Sequence, residues 1–355
     1  MSEVFQKYSN IEIASRKKII DTIRFGGYAD PSIKWTASIK VDGAQFSIYV
    51  YPNESIKYSR RKGFLTDNDK FYDYKSAIKS ESLDQKSIEI RHLLIEKGIS
   101  SDNSTIIICG ELFGGIYLHP DVPQEIVTPI QKRIQYAPGI HFYCFDIMVE
   151  KDGQFQYIDD DVVTEVCDKV KMTSHYVVKI GTFDECMQVP NNIPDPIGVE
   201  YYGLPPIQNN IIEGIVIKPV HPIMKNSARI ILKNKNEIFA EKMDPRHLCP
   251  KKKEVKSDLS EKEEEILQHK MEYLTESRIC SVISKIGQVS RRDFVMVRND
   301  FIEDVNEDFM KDYGEEVENL KKEEYDQAKV DEKFMKEVTK WLGFRFKNYV
   351  TVKDN

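Results

Sequence analysis

The stretch Lys40-Val41-Asp42-Gly43 places a candidate nucleophile, a carboxylate and a glycine at the start of an apolar run. Residues 39–50 (IKVDGAQFSIYV) nearly alternate in side-chain type, which is typical of a β-strand, so we expect Lys40 to lie at the start of that strand. An amine is a nucleophile only when it is deprotonated, and the reference lysine pKa of about 10.4 means that nearby cations or burial must lower it. Four such common residues also occur on solvated surfaces, so the interpretation depends on the rest of the chain.

Two groups of basic residues have the right types to bind phosphate. Arg60 and Arg61 lie in a turn that ends in a glycine, and arginine can hold a phosphate by two parallel hydrogen bonds. Lys233 and Lys235 alternate along a strand predicted over 228–235, where two like charges on one face repel unless an anion lies between them. A solvated turn and a solvated sheet edge are the plainer alternatives.

Two glutamates are associated with apolar strands. Glu111 follows a strand predicted over 105–109 and is bracketed by glycines, and Glu213 shares the predicted strand 211–220 with Lys218. A carboxylate at the end of a buried strand is costly unless it is paired, binds a metal or accepts hydrogen bonds from donors such as ribose hydroxyls. For Glu111 we therefore favour a functional role over a structural one.

Together, these groups make chemical sense as one nucleotide site. The lysine pair and Arg61 would neutralise a triphosphate, and the glutamates would hold a ribose and a divalent cation. Hard oxygen ligands indicate Mg²⁺ or Mn²⁺. An aromatic strand predicted over 141–149, which holds Phe145, could supply a ring for stacking on the base, although such aromatics more often belong to the core.

The composition favours a globular protein. Of the 355 residues 41% are hydrophobic and 31% charged, and no apolar run approaches the length of a membrane span. The N-terminal residues lack the apolar core of a signal peptide, and six scattered cysteines indicate reduced thiols, so we expect an intracellular location (the cytoplasm, or the host-cell interior if viral). The net charge of −7 argues against coating of nucleic acid by bulk attraction but permits a local basic groove.

Periodicity divides the chain into a strand-rich part and a helical part. In the first part helices are predicted over 11–24 and 85–98. In the second part the predicted helices cover 260–285, about 293–312, and 329–341. The predicted segments are a strand-rich domain over 1–248, a basic linker over 249–256 and a helical domain over 257–355.

In their order along the chain, these motifs resemble the covalent nucleotidyltransferase superfamily and, within it, the RNA ligase 2 family. The resemblance runs from residues 5–9 (FQKYS) to 274–278 (LTESR) and 282–285 (VISK). It implies an α+β fold, in which a ligase-type adenylyltransferase domain with antiparallel sheets precedes a small all-helical C-terminal domain.

The resemblance also implies an ATP-dependent RNA ligase that uses Mg²⁺ or Mn²⁺. The lysine would attack the α-phosphorus of ATP, giving lysyl-AMP and pyrophosphate. AMP would pass to a 5′-phosphate on RNA, and a 3′-hydroxyl would attack that activated end and release AMP. The implied partner is RNA with 3′-OH and 5′-phosphate ends in a nicked duplex, with no membrane association.

Individual roles follow from the same resemblance. Lys40 matches the nucleophile, and Phe145 matches the aromatic residue stacked on adenine. Glu111 matches the carboxylate that holds the ribose and Glu213 the metal-associated glutamate, and both are predicted metal ligands. The other predicted ATP contacts lie in the nucleophile motif, the basic turn and the last two strands: Asp42, Gly43, Gln45, Arg61, Lys218, Lys233 and Lys235.

Two residues depart from the family pattern Lys-x-His-Gly-Thr-Asn. Asp42 occupies the histidine position and gives the form shared with DNA ligases and capping enzymes. Gln45 replaces an asparagine that is associated with the later, RNA-end steps. We therefore expect this chain to differ from other family members in the efficiency of those steps.

Other functions remain open on the sequence alone. A DNA ligase or an mRNA guanylyltransferase would share Lys40, Glu111 and Glu213, but each needs a β-rich OB domain after the lysine pair, where this chain is predicted helical. A non-catalytic RNA-end-binding protein is an alternative of another class, although every charged group that the chemistry needs is present. The helical domain has mixed charge that would also suit protein interaction. The resemblance instead favours salt-sensitive RNA contact, and the predicted phosphate contacts are Arg60, Arg61, Lys285, Arg291 and Arg292.

Overall fold

The computed structural model describes residues 4–243, 258–320 and 325–351, and the structural statements below concern these residues. They form two compact units, of which the first extends to Asn236 and includes Ser284–Gly287. The second comprises Glu237–Ile283 and the residues from Gln288 onward. The predicted linker 249–256 lies outside the described residues.

The first unit contains two larger sheets and a two-stranded ribbon. Its strands are β1 (Glu12–Ile13), β2 (Trp35–Lys40), β3 (Ala44–Val50), β4 (Ile56–Arg60), β5 (Gly63–Phe64), β6 (Ile106–Ile116), β7 (Ala137–Lys151), β8 (Gln154–Tyr157), β9 (Val177–Gly181), β10 (Gly214–Pro219), β11 (Met224–Lys225), β12 (Ala228–Arg229) and β13 (Leu232–Lys235). The five-stranded sheet has the order β1-β13-β10-β2-β9, and the six-stranded sheet has the order β5-β4-β3-β6-β7-β8. Within both sheets every pair is antiparallel except β1 with β13.

Helices cover one face of the six-stranded sheet. The helices of this unit are α1 (Lys17–Phe25), α2 (Tyr74–Glu81), α3 (Leu83–Glu96), α4 (Asp160–Val170), α5 (Phe183–Met187) and α6 (Ile197–Tyr202). Phe46, Ile48 and Val50 of β3 point into the core beneath α2, α3 and α4. Tyr49 points to a smaller cluster that includes Ile107. The predicted alternation along this strand is therefore confirmed, and burial on both faces fits its apolar composition.

The second unit is helical, as predicted. Its helices are α7 (Glu261–Met271), α8 (Glu276–Ile286, whose last turn belongs to the first unit), α9 (Phe294–Leu320) and α10 (Gln327–Arg345). α7 starts with a capping box, in which Ser260 accepts from the Glu263 N–H and Glu263 accepts from the Ser260 N–H. Within the described part of the chain, no helix combines the length and apolar character that crossing a bilayer demands.

Three helix and strand predictions were wrong in their limits. The predicted helix 11–24 begins only at Lys17, because Glu12 and Ile13 pair with β13 instead. The predicted strand 228–235 is split between β12 and β13. The predicted helix 260–285 is broken before α8, where the Thr275 hydroxyl accepts the Arg278 N–H at 3.2 Å and so starts a new helix. Local periodicity does not detect a distant strand partner or a second cap.

The strand predictions around the candidate site also need correction. The run 39–50 is two strands that belong to different sheets, so Lys40 is the last residue of β2 rather than the first residue of a strand. Glu111 lies inside β6, which continues to Ile116, rather than at the end of a strand. The chain therefore crosses between the two sheets immediately after Lys40.

Candidate active site

Lys40 and Lys235 are brought together by three adjacent strands. In the sheet register Gly214 of β10 lies opposite Lys40 of β2 on one side and opposite Lys235 of β13 on the other. A Cβ atom at Gly214 would lie 2.3 Å from the Asn234 carbonyl oxygen, so the close approach of β13 requires glycine here. Directly opposed residues share a face of the sheet, which places both ammonium groups on the same side.

A single carboxylate joins the two lysines. Glu213 Oε2 lies 2.7 Å from Lys40 Nζ, and Glu213 Oε1 lies 2.8 Å from Lys235 Nζ. Glu213 is buried, which opposes its ionisation, but the two nearby ammonium groups outweigh burial and hold the pKa of Glu213 below its ordinary value. The cluster of one anion and two cations is therefore attractive to a further anion such as phosphate.

Glu111 is held beside this cluster by the pairing of β3 with β6, in which it lies opposite Gln45. Burial raises the pKa of Glu111 to about 8, with Glu213 and Asp42 adding to the rise and Lys40 opposing it. At neutral pH this carboxyl group is therefore mostly protonated in the absence of a bound cation. An arriving cation would favour its ionised form.

Asp42 makes contacts that the sequence did not predict. Its carboxylate Oδ2 lies 3.0 Å from Arg133 Nη2, and its backbone N–H donates to the Tyr136 hydroxyl at 2.8 Å. Burial and then Glu213 raise the pKa of Asp42 to about 6, against the opposing charge of Arg133. No motif marks Arg133 or Tyr136, and only the contact itself identifies them.

Arg60 and Arg61 have separate surroundings although they are neighbours. Arg61 donates to the Gln45 side-chain oxygen at 3.1 Å and to the Tyr8 carbonyl at 2.6 Å. Arg60 donates to the Ile286 carbonyl at 2.6 Å. Arg61 thus contacts the nucleophile motif, whereas Arg60 contacts the end of α8.

Phe145 rests on a buried network of charges. Its half-buried ring packs edge-on against Tyr8, with 5.1 Å between the ring centroids. Lys218 donates to the Phe145 carbonyl at 2.8 Å and forms ion pairs with Asp146 and Asp160 at 2.9 and 2.7 Å. The structure therefore places Lys218 with Phe145, whereas Lys40 and Lys235 lie with Glu213.

Arg229 completes this network. Arg229 forms two hydrogen bonds to Asp146, at 2.7 and 2.9 Å. Burial disfavours the ionised Asp146 carboxylate, yet Arg229 and Lys218 lower its pKa to about 2. No sequence motif marks Arg229 or Asp160, because the buried partner of a charged residue is set only by folding.

The remaining predicted residues are distributed over both units. Lys233 is partly buried in β13, two residues before Lys235 and on the same face. Lys285 is partly buried in α8. Arg291 and Arg292 are exposed in a short 3₁₀ turn that Ser290 caps. Their predicted roles in phosphate contact stay predictions.

Comparison with known proteins identifies the family. The RNA ligase family model matches residues 33–235, which contain Lys40, Glu213 and Lys235. The model of the T4 RNA ligase 2 C-terminal domain matches residues 256–340. The two models together cover most of the chain, in the order expected from the resemblance.

Curated relatives agree with the family models. The mitochondrial RNA-editing ligase 2 of Trypanosoma brucei brucei is 30% identical over 238 residues, which are 61% of this chain and 55% of that protein. The mitochondrial RNA-editing ligase 1 is 29% identical over 288 residues, covering 71% of this chain and 58% of the relative. This chain thus spans little more than half the length of either relative.

Among solved structures, a mutant Naegleria gruberi RNA ligase with ATP and Mn shows 12% identity and a TM-score of 0.43, covering 66% of this chain and 57% of the other. The RNA ligase family model matches more than half of the chain, and the match to the T4 RNA ligase 2 C-terminal domain follows it. The chain therefore belongs to the RNA ligase family, and within it to the RNA ligase 2 type.

Proposed function

We propose that this protein is an ATP-dependent RNA ligase that joins 3′-OH and 5′-phosphate RNA ends, acting on nicks in a duplex. The observation that carries the proposal is the bridge that Glu213 makes between Lys40 and Lys235. A solvated surface lysine needs neither a buried carboxylate partner nor a second cation beside it. A lysine that attacks a phosphorus atom needs both, because the carboxylate orients the amine and the second cation attracts the phosphate.

The first step would transfer AMP from ATP to the lysine. A bond forms between Lys40 Nζ and the α-phosphorus while the bond from that phosphorus to the bridging oxygen breaks, so that pyrophosphate leaves. Glu213 Oε2, at 2.7 Å from Lys40 Nζ, is placed to take the proton that the amine loses. Lys235, with Lys233 on the same strand face, would neutralise the charge on the α-phosphate.

The nucleoside part of ATP would be held by residues on the six-stranded sheet. Phe145 offers a half-buried ring for stacking on adenine, and Lys218 fixes the backbone carbonyl of this residue. Glu111 is half-buried and offers a carboxyl group to the ribose hydroxyls, which can donate to it. These roles are proposed from position and chemistry together with the family resemblance.

The carboxylates fit a divalent cation, although not equally well. Carboxylate oxygens are hard ligands that suit Mg²⁺ or Mn²⁺. The pKa of Glu111 is raised because the nearby positive charge does not offset burial of its ionised form. A bound cation would supply the missing positive charge. Both oxygens of Glu213 already hold lysines, so Glu111 is the better candidate ligand. When bound, the cation would neutralise charge on the phosphates.

The RNA steps are proposed from the family and from the residues beside the lysine. AMP would pass from Lys40 to the 5′-phosphate of RNA, and the 3′-hydroxyl would then attack that phosphate and release AMP. Gln45 in the nucleophile motif and its partner Arg61 are suited to contact the ends. We further propose an adenylyltransferase domain over 1–248, a linker over 249–256 and an RNA-contacting helical domain over 257–355.

Incubation with α-labelled ATP or GTP, with Mg²⁺ or Mn²⁺, tests the covalent step. The native chain and Lys40→Ala would be compared after denaturing electrophoresis. We expect a label from ATP that is absent in the variant, and sealing of nicked RNA by the native chain. Labelling by GTP instead of ATP would indicate capping. Absence of label from folded protein free of bound AMP would overturn the proposal.

A further inference from the structure

Residues 133–136, at the end of the connection between β6 and β7, hold the nucleophile motif at Asp42. We call these four residues the clamp segment. Arg133 Nη2 lies 3.0 Å from Asp42 Oδ2, and the Tyr136 hydroxyl accepts the Asp42 N–H at 2.8 Å. The clamp segment therefore binds both the side chain and the backbone of Asp42, two positions after Lys40.

The clamp segment also contacts the chain just before Glu213, the ion-pair partner of Lys40. Its Gln135 N–H donates to Asn210 Oδ1, and Asn210 Nδ2 donates to the Gln135 carbonyl, both at 2.9 Å. Asn210 lies three residues before Glu213. One short segment thus anchors the chain next to the nucleophile and the chain next to the carboxylate that holds it.

The charge of Asp42 is balanced by Arg133 and by the two lysines of the site. The side chains of Asp42 and Arg133 are only 13% and 27% exposed, so solvent screens their interaction incompletely. The cations that act on Asp42 are Arg133, Lys40 and Lys235, and the last two already share Glu213. If Arg133 were lost, the Asp42 carboxylate would compete for the ammonium of Lys40.

We propose that Arg133 is a positioning residue for lysine adenylylation, which acts through Asp42. It holds the 41–43 crossing between the two sheets, and it keeps the Asp42 carboxylate away from the nucleophile. Arg133 is not required to touch ATP in this role. The inference rests on the proposed function and adds a residue that the family motifs do not include.

Single-turnover formation of lysyl-AMP tests this role in the full chain. The variants are Arg133→Ala, Arg133→Lys, Asp42→Asn and the double variant Arg133→Ala/Asp42→Asn. If loss of Arg133 changes the geometry at the nucleophile, Arg133→Ala should lower the rate at saturating ATP by about 10- to 100-fold. The ATP concentration for half-maximal rate should change less than about threefold. Arg133→Lys should recover most of the rate. The double variant should be no slower than Asp42→Asn.

Arg24→Ala is the matched control, because Arg24 pairs with Asp184 on the surface. A rate for Arg133→Ala equal to that of Arg24→Ala would overturn the inference. A loss confined to ATP affinity, or one that persists undiminished beside Asp42→Asn, would also overturn it, since Arg133 would then act directly on ATP. If Arg133→Ala does not fold, Arg133→Gln replaces it. A native chain that forms no lysyl-AMP would instead refute the proposed function, and this inference with it.

Discussion

Gly43 lies against Glu111 so closely that a Cβ atom on the glycine would come within 2.8 Å of the Glu111 Cγ atom and 2.1 Å of the Leu112 carbonyl oxygen. The glycine of the nucleophile motif is therefore the residue that lets β6 carry its glutamate up to Lys40.

Gly43→Ala should displace β6 at Glu111 and lower both stability and lysyl-AMP formation. A clash with backbone cannot be relieved by a side-chain rotation, so we expect a cost of about 1–3 kcal/mol. Gly343→Ala is the control, since a Cβ atom there meets nothing within 4 Å and alanine favours a helix by about 0.5–1 kcal/mol. Denaturant unfolding and α-labelled ATP measure the two effects. Equal stability and equal lysyl-AMP formation in the two variants would contradict the prediction.

Glu213→Gln should lower the rate of lysyl-AMP formation by about 100-fold or more, because the amide neither orients two ammonium groups nor accepts a proton. Rapid quenching with labelled ATP measures this rate. The control is Glu165→Gln, since Glu165 also bridges two lysines, Lys97 and Lys169, at 2.7 and 2.9 Å but on the surface. A native rate in Glu213→Gln would exclude Glu213 from the chemistry.

Arg229→Met should destabilise the first unit by about 3–5 kcal/mol, because it leaves the buried Asp146 carboxylate with the Lys218 ammonium and the Tyr8 hydroxyl but without its guanidinium partner. Asp146 has a pKa lowered to about 2, so its ionised form stabilises the fold above the unfolded pKa of about 3.9, and this contribution is lost as the pH falls towards 2. Denaturant unfolding should therefore show a difference in the free energy of unfolding between the native chain and Arg229→Met that becomes smaller at acid pH.

The surface pair of Arg24 and Asp184 provides the comparison for Arg229. Both side chains are about half exposed, at 48% and 56%, and Arg24→Met should cost no more than about 1 kcal/mol. A similar loss in the two variants would show that burial of the Asp146 network contributes nothing beyond a surface pair.

Asp195→Asn should stabilise the protein, and more so at high pH. Burial raises the pKa of Asp195 to about 7, only partly offset by the backbone N–H groups of Gly198 and Ile197. Between about pH 4 and 7 the folded protein holds a proton that the unfolded chain releases, so native stability falls as the pH rises. Above pH 7 the gain from the amide should reach on the order of 4 kcal/mol. A gain that is independent of pH between 4 and 8 would contradict this assignment.

The predictable part of the site came from residue type and order. Lys40, Glu213 and Lys235 could be assigned to one nucleotide site because their chemistry is complementary, and the structure places them in direct contact. Lys218 has the same charge, but its burial beside Asp146 and Asp160 gives it different partners. Charge and spacing alone did not separate these lysines.

The amino-acid sequence by itself determined the family, the α+β character of the first part and the helical character of the second, because these depend on local periodicity and on motifs in order. The tertiary structure decided where β2 ends and β3 begins, and it decided the partners of Arg133, Arg229 and Lys218. Such contacts join residues that are far apart in the chain. Their free energies depend on burial and on competing neighbours, which no local pattern records.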